Sequence, residues 1–193
     1  MAAARGRIVV LRHAETEWSR DGRHTGRTDI PLTAAGEDAA RSVGARLAAY
    51  RPGLVLVSPL QRARRTAELA GHPGEVAPDL LEWDYGDYEG RTTQGIQDDL
   101  GDPAWSVWTT LDGLGETVDD VAARAARVLT RCRPVVERGD DVLLVAHAHL
   151  LRILTATHLG LPPVGGRSFV LPPAAIGVLG WERSTTALLG WAV

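Results

Sequence analysis

The 193-residue chain contains no lysine; all 21 of its basic residues are arginine. That absence excludes Schiff-base chemistry on a lysine and the Gly-Lys-Ser/Thr phosphate loop of NTPases, although abundant alanine and glycine make coding bias an equal source of it. Cysteine is almost as scarce. Cys132 stands alone, so no internal disulfide framework exists, and a reducing, cytoplasmic setting is expected. An excess of basic charge is missing too: 24 acidic residues give a net charge of −3, unlike a general nucleic-acid binder. No stretch reaches about 18 consecutive apolar residues, and the start, Met1-Ala-Ala-Ala-Arg-Gly-Arg, is too short for a signal-peptide core. No membrane association is expected. The apolar fraction of 45% and charged fraction of 23% are ordinary for a globular protein. The length predicts one domain, residues 1–193, with a substantial core.

The most informative stretch is Ile8-Val9-Val10-Leu11 followed by Arg12-His13-Ala14-Glu15-Thr16. An apolar, β-branched run reads as a buried strand of a parallel sheet, and ligands bind at the carboxyl ends of such strands. Arginine beside histidine at that end can hold an anion while the imidazole attacks it; alone, the pair reads rather as a polar cap on a strand. A second stretch, Val142-Leu-Leu-Val-Ala-His147, repeats the pattern.

Between them the chain alternates. Ser19 to Thr28 reads as an arginine-rich loop. Thr33 caps a helix running to about Tyr50 with Ala39, Val43 and Leu47 on one face. Leu54–Val57 is a second buried strand, and Ser58-Pro59 predicts an N-cap with proline at the first helical position of a helix reaching Ala70. A short strand is expected at Glu75–Ala77. Leu80 to Gly90 reads as an ordered loop, and residues 91–115 as short helices. A helix from Glu116 to about Glu137, a strand at Val142–Ala146 and a helix from His149 to Leu159 follow. Phe169–Leu171, Ile176–Trp181 and Leu188–Val193 read as short strands at a sheet edge. This order predicts a three-layer α/β/α sandwich with a mostly parallel central sheet.

Six blocks, in order, carry a family resemblance: Leu11-Arg12-His13-Ala14-Glu15-Thr16-Glu17-Trp18; Thr25-Gly26 with Asp29, Leu32-Thr33 and Gly36; Ser58-Pro59-Leu60-Gln61-Arg62-Ala63; Leu81-Glu82 with Tyr85-Gly86; Gly115-Glu116-Thr117; and Val145-Ala146-His147. Together they resemble the histidine phosphatase superfamily, with its phosphoglycerate-mutase-like fold. Glu82 to Gly90 looks most like a small branch holding mycobacterial acid phosphatases and fungal sedoheptulose-bisphosphatases. The resemblance implies His13 as nucleophile, Arg12 and Arg62 as phosphoryl clamps, His147 as a second histidine holding the transferring group, and Glu82 as proton donor. It further implies substrate contacts from Ser19, Thr25, Gly26, Tyr85 and Ala148; residues 20–27, with Arg23, and 91–115, both polar and glycine-punctuated, are expected to form the substrate-facing wall. The residue types suit this chemistry: phosphoryl transfer needs positioning and charge stabilisation, neutral imidazole is a competent nucleophile, and guanidinium forks match phosphate geometry.

Asp84, Asp87 and Glu89 compete with Glu82 for the acid role, and Glu15 reads as a structural partner for a histidine or arginine. Relatives carry glycine where Ala14 and Ala148 stand; positive φ there would strain alanine, and ordinary backbones are expected. Cys132 and Arg138 have the spacing of cysteine-dependent phosphatases, but on a helix, without the loop that activates a thiolate. His147-Ala-His149 lacks the companions of a metal site, and Gly113-Leu-Gly115 lacks the third glycine of a dinucleotide motif. No cofactor and no metal are expected. The reading is a phosphomonoester phosphatase acting on a small phosphate ester. A cofactor-dependent phosphoglycerate mutase is the first alternative, disfavoured by Asp98, Asp99, Asp102 and Asp112 in 91–115. An inactive phospho-ligand scaffold is the second. An exposed terminal strand would support a homodimer.

Overall fold

The structure, a computed structural model, describes residues 5–109 and 115–193. The first four residues, and Asp112 and Gly113, therefore lie outside the described residues. Six strands form one sheet in the order β3-β2-β4-β1-β5-β6. They are β1 (Ile8–Arg12), β2 (Pro52–Val57), β3 (Glu75–Val76), β4 (Asp141–Ala146), β5 (Ile176–Glu182) and β6 (Thr185–Gly190). The first four run parallel to one another; β5 pairs antiparallel with β1, and β6 with β5.

Side-chain alternation along the central strands separates two layers. Ile8 and Val10 of β1, with Val142 and Leu144 of β4, pack with α5 (Val118–Glu137) and α6 (Ala148–His158). Val9 and Leu11, with Leu143 and Val145, pack with α2 (Ala34–Leu47) and α3 (Gln61–Leu69). Both faces are covered, which is why these strands are uninterrupted apolar runs. The fold is the predicted α/β type with a mostly parallel sheet.

Local signals account for most boundaries. The Thr33 hydroxyl accepts from the Gly36 amide and starts α2, as predicted. Thr117 starts α5 through a capping box with Asp120. The short helix α1 (Glu17–Arg20) has the same device in Thr16 and Ser19. Within 91–115, α4 (Thr93–Leu100) is the helix described. Two expectations fail. Helix α3 starts at Gln61 with Leu60 as N-cap, because the Ser58 hydroxyl is drawn to a histidine instead. Phe169–Leu171 is not a strand; a 3-10 turn over Pro163–Ser168 leads into it, and the edge hairpin uses only β5 and β6. No helix among the described residues is long and apolar enough to cross a membrane.

Candidate active site

Three adjacent parallel strands, β2, β4 and β1, end side by side, and each is followed by a polar residue: Ser58, His147 and His13. The ladder continues one step beyond the strands. The Ser58 amide donates to the Val145 carbonyl at 3.0 Å, and the His13 amide to Ala146 at 2.8 Å. Residues from three distant parts of the chain thus form a row at the carboxyl edge of the sheet.

His13 is 4% exposed. Its Nδ1 lies 2.8 Å from the Ala14 carbonyl oxygen, which can only accept, so Nδ1 carries the proton and Nε2 keeps its lone pair. Burial first, then the charges of Arg62 and Arg12, hold the imidazole well below its usual pKa. It stays neutral, as a nucleophile must. The loop after β1 is fastened by α3: the Ala14 amide donates to the Thr66 hydroxyl, which donates to the Arg62 carbonyl.

His147 is wholly enclosed, its ring centroid 5.2 Å from that of His13. Arg62 Nε–H donates to its Nδ1 at 3.2 Å, so the proton sits on Nε2 and is donated to Ser58 Oγ at 2.7 Å. Burial and Arg62 push its pKa well down too. The other guanidinium bonds of Arg62 run to the carbonyls of Thr28, Thr25 and Gly26, so it braces the 25–28 loop from beneath. Gly26 must be glycine: an added Cβ would stand 2.6 Å from the Trp83 carbonyl oxygen.

Arg12 donates through Nη1 to the Leu171 carbonyl at 2.7 Å, while its Nε is buried without a partner among the described residues. Burial lowers its pKa to about 10, leaving it cationic at neutral pH. Glu82, 4% exposed, is anchored at the start of α6. Its Oε1 accepts from the amides of Trp83 and Leu150, both at 2.9 Å, and Oε2 from that of His149 at 3.1 Å. A carboxylate at a helix N-terminus satisfies orphan N–H groups and the positive end of the dipole.

These groups surround a cavity of roughly 200 Å³. Of the predicted residues, Arg12, His13, Ser19, Arg23, Thr25, Glu82, Tyr85 and Ala148 line it, whereas Arg62, His147 and Gly26 support it from behind. Ser19 donates to the Thr16 carbonyl, and Thr25 to that of Arg23. Glu82 is the one acid in this lining. Asp84 faces Arg27 instead, and Glu89 holds the Thr28 amide and hydroxyl. Glu15 accepts from the Thr33 hydroxyl, a threonine and not the expected histidine or arginine. Neither Ala14 nor Ala148 has positive φ, so both backbones are ordinary, as expected. Cys132 lies inside α5, where burial pushes the thiol up to about 12.

Four groups in or beside the cavity escaped the sequence reading: Ser58, His24, His149 and Arg152. The spacing of His149 and Arg152, three residues apart on one helix, was the available signal for the last two. Arg152 donates to the carbonyls of Gly166 and Arg167 and lies over the Trp108 ring at 4.8 Å. It has no carboxylate partner among the described residues. Residues 91–109, expected in the cavity wall, sit behind it; Thr92 bridges Arg23, and the Arg91 carbonyl accepts from the His24 amide.

The sequence is 39% identical over 191 residues to an acid phosphatase of Mycobacterium tuberculosis, covering 97% of this chain and 93% of that one. It is 32% identical over 185 residues to a sedoheptulose 1,7-bisphosphatase of Saccharomyces cerevisiae, covering 80% and 68%. A probable phosphoglycerate mutase of an Enterobacter species is also 32% identical, covering 96% and 90%. A solved open-reading-frame product of M. tuberculosis superposes with a TM-score of 0.92 at 38% identity, over 97% of both chains. The profile of the histidine phosphatase superfamily (branch 1) matches residues 8–193. With that match joined to a phosphoglycerate-mutase-like fold, the chain belongs to the histidine phosphatase superfamily and is a phosphatase of it.

Proposed function

We propose that the protein hydrolyses monoesters of small phosphorylated metabolites through a phosphohistidine on His13. The observation that carries this reading is the Nε2 lone pair of a neutral His13, beside the unpartnered Nε of Arg12, at a 200 Å³ cavity. In the first step Nε2 attacks phosphorus and the ester P–O bond breaks. Glu82, in its acid form, gives its proton to the leaving oxygen. Oε2, with a single N–H donor, is the oxygen with room for that proton. In the second step Glu82 takes a proton from water, whose oxygen attacks phosphorus, and His13 leaves as neutral imidazole.

Arg12 neutralises charge on the equatorial oxygens. Arg62 keeps one Nη1–H uncommitted by its bonds to the protein, and, positioned through its Nε–H by His147, it completes the clamp. Ser19, Thr25 and the Ala148 backbone hold the ester. These donors supply the charge a metal would otherwise bring, and turnover is metal-independent. Arg152, without a counter-carboxylate, and exposed Arg23 face the far side of the cavity. They favour a leaving group with its own anion, as in a sugar bisphosphate. The lone buried thiol suits the cytoplasm.

Brief incubation with a phosphate-labelled ester tests the reading. A phosphoramidate survives alkaline quench and is lost in acid, the reverse of an acyl phosphate. Label on His13 that passes to water is expected. Transfer to monophosphoglycerate faster than to water makes the protein a mutase, and no label with retained ligand binding makes it a scaffold.

A further inference from the structure

Beyond the nucleophile and the acid, the cavity presents a group to which the chemistry above gives no role. His149 lines it, and the ring is held on several sides. Trp108, Tyr85 and Trp83 meet it edge-on, with centroids at 5.0, 5.7 and 6.0 Å. Its own backbone N–H is bonded to Glu82 Oε2, so the ring is tethered to the residue that protonates the leaving oxygen.

The Tyr85 hydroxyl lies 2.5 Å from His149 Nδ1. Tyr85 is buried, and its hydroxyl meets no other acceptor among the described residues. An unpaired buried O–H is costly, so the phenol donates and Nδ1 accepts. Burial pushes the phenol pKa well above 10 and holds the imidazole well below 6.5, with Arg152, His24 and Arg12 adding to the latter. The single ring proton therefore sits on Nε2, which has no partner among the described residues. Turning the ring over to exchange the nitrogens would place a carbon opposite the phenol and break that bond.

Resting on the phosphatase reading, we infer that His149 is a specificity-determining residue whose Nε2–H donates to an uncharged oxygen of the leaving group, and that Tyr85 is the positioning residue that keeps the proton there. The acceptor is uncharged because anionic oxygens have Arg12 and Arg152 in the same lining. It lies near the scissile bond because His149 and Glu82 are joined. A hydroxyl close to the ester carbon, as in a polyol or sugar phosphate, meets both conditions; an unsubstituted aryl phosphate has no such oxygen.

The experiment compares glycerol 2-phosphate with phenyl phosphate, and reads the His149 ring nitrogens by ¹⁵N NMR. In the unmodified protein a pyridine-type Nδ1 and a protonated Nε2 are expected. His149→Leu lowers kcat/KM for glycerol phosphate about 5- to 10-fold, the worth of one neutral hydrogen bond, and leaves phenyl phosphate within about twofold. His149→Gln, whose amide reaches the Nε2 position, restores most of the loss. Tyr85→Phe gives a mixed tautomer and the same selective loss. A protonated Nδ1 in the unmodified protein, or equal losses for the two esters, overturns the inference while leaving the phosphatase reading intact. Absence of label on His13 with either ester fails the phosphatase reading instead, and the NMR result still decides the tautomer.

Discussion

Two neighbouring strands end in histidine, and the two histidines have opposite situations. After β1, His13 gives its Nδ1 proton to a carbonyl next door in sequence and keeps a lone pair on Nε2 beside the cavity. After β4, His147 takes a proton from Arg62 on Nδ1 and spends its own on Ser58. One imidazole is an electron-pair donor and the other a hydrogen-bond donor, though an apolar run precedes both. The proton's place is set by whatever faces Nδ1: a carbonyl in one case, a guanidinium in the other. The same rule governs His149, where a phenol does the donating.

The largest expected effect separates the pair outright. His13→Ala abolishes labelling and lowers turnover by at least about 10⁴-fold, as loss of a nucleophile does, whereas His147→Ala slows turnover but still accepts label. Label persisting in His13→Ala, or found on Cys132, breaks the comparison. Next comes Glu82→Gln, which lowers turnover of an alkyl ester roughly 10²–10⁴-fold. Nitrophenyl phosphate, whose leaving group scarcely needs a proton, suffers less. Equal losses on both would take the acid role away from Glu82. Ser58→Ala probes the His147 side: losing one neutral hydrogen bond should reduce kcat/KM about 3- to 10-fold, with His13 labelling preserved. No change in rate would show that the Ser58 bond does not position the ring.

A smaller effect is on stability. His13, His147 and His149 are held well below 6.5, and His24 is lowered to about 4, by burial before all else. Unfolded imidazoles gain protons as pH falls through about 6.5, while these folded ones do not. Stability is therefore full above about 6.5 and declines from there toward pH 4. Urea midpoints at about pH 7.5 and about pH 5 measure the decline, and a flat profile contradicts the neutral rings. The smallest expected effect is none: excess EDTA leaves turnover unchanged, and loss that a divalent ion restores would overturn metal independence.

The strands were legible because burial on both faces writes them as plain apolar runs, helix α2 because a capping threonine precedes a periodic face, and α5 because its apolar residues recur at helical spacing. Ser58 was misread for a physical reason. Ser-Pro before a helix is a sound local capping signal, but a histidine 89 residues away competes for the hydroxyl. Arg62 was found at its family position, yet its bonds to the 25–28 carbonyls depend on a loop whose path no local pattern encodes. That path is set partly by Glu116, which binds both Arg27 and Arg124 and accepts from the Asp84 amide. Gly115, at φ 143°, makes the approach possible, since a Cβ there would stand 2.3 Å from the Asp84 carbonyl oxygen.

The position of β1 within the sheet has a consequence for how the protein is made. Its two neighbours are β4 and β5, and the Arg12 guanidinium is tied to the carbonyl of a residue 159 positions later. The His13 carbonyl likewise accepts from the Ala174 amide. During synthesis the strand that ends beside His13 precedes both partners, waiting about 130 residues for β4 and more than 160 for β5. Closing such long loops is slow, and unpaired apolar strands invite association meanwhile. The candidate active site is thus begun well before it can be completed, so a nascent chain stalled before β5 carries both histidines and no finished site.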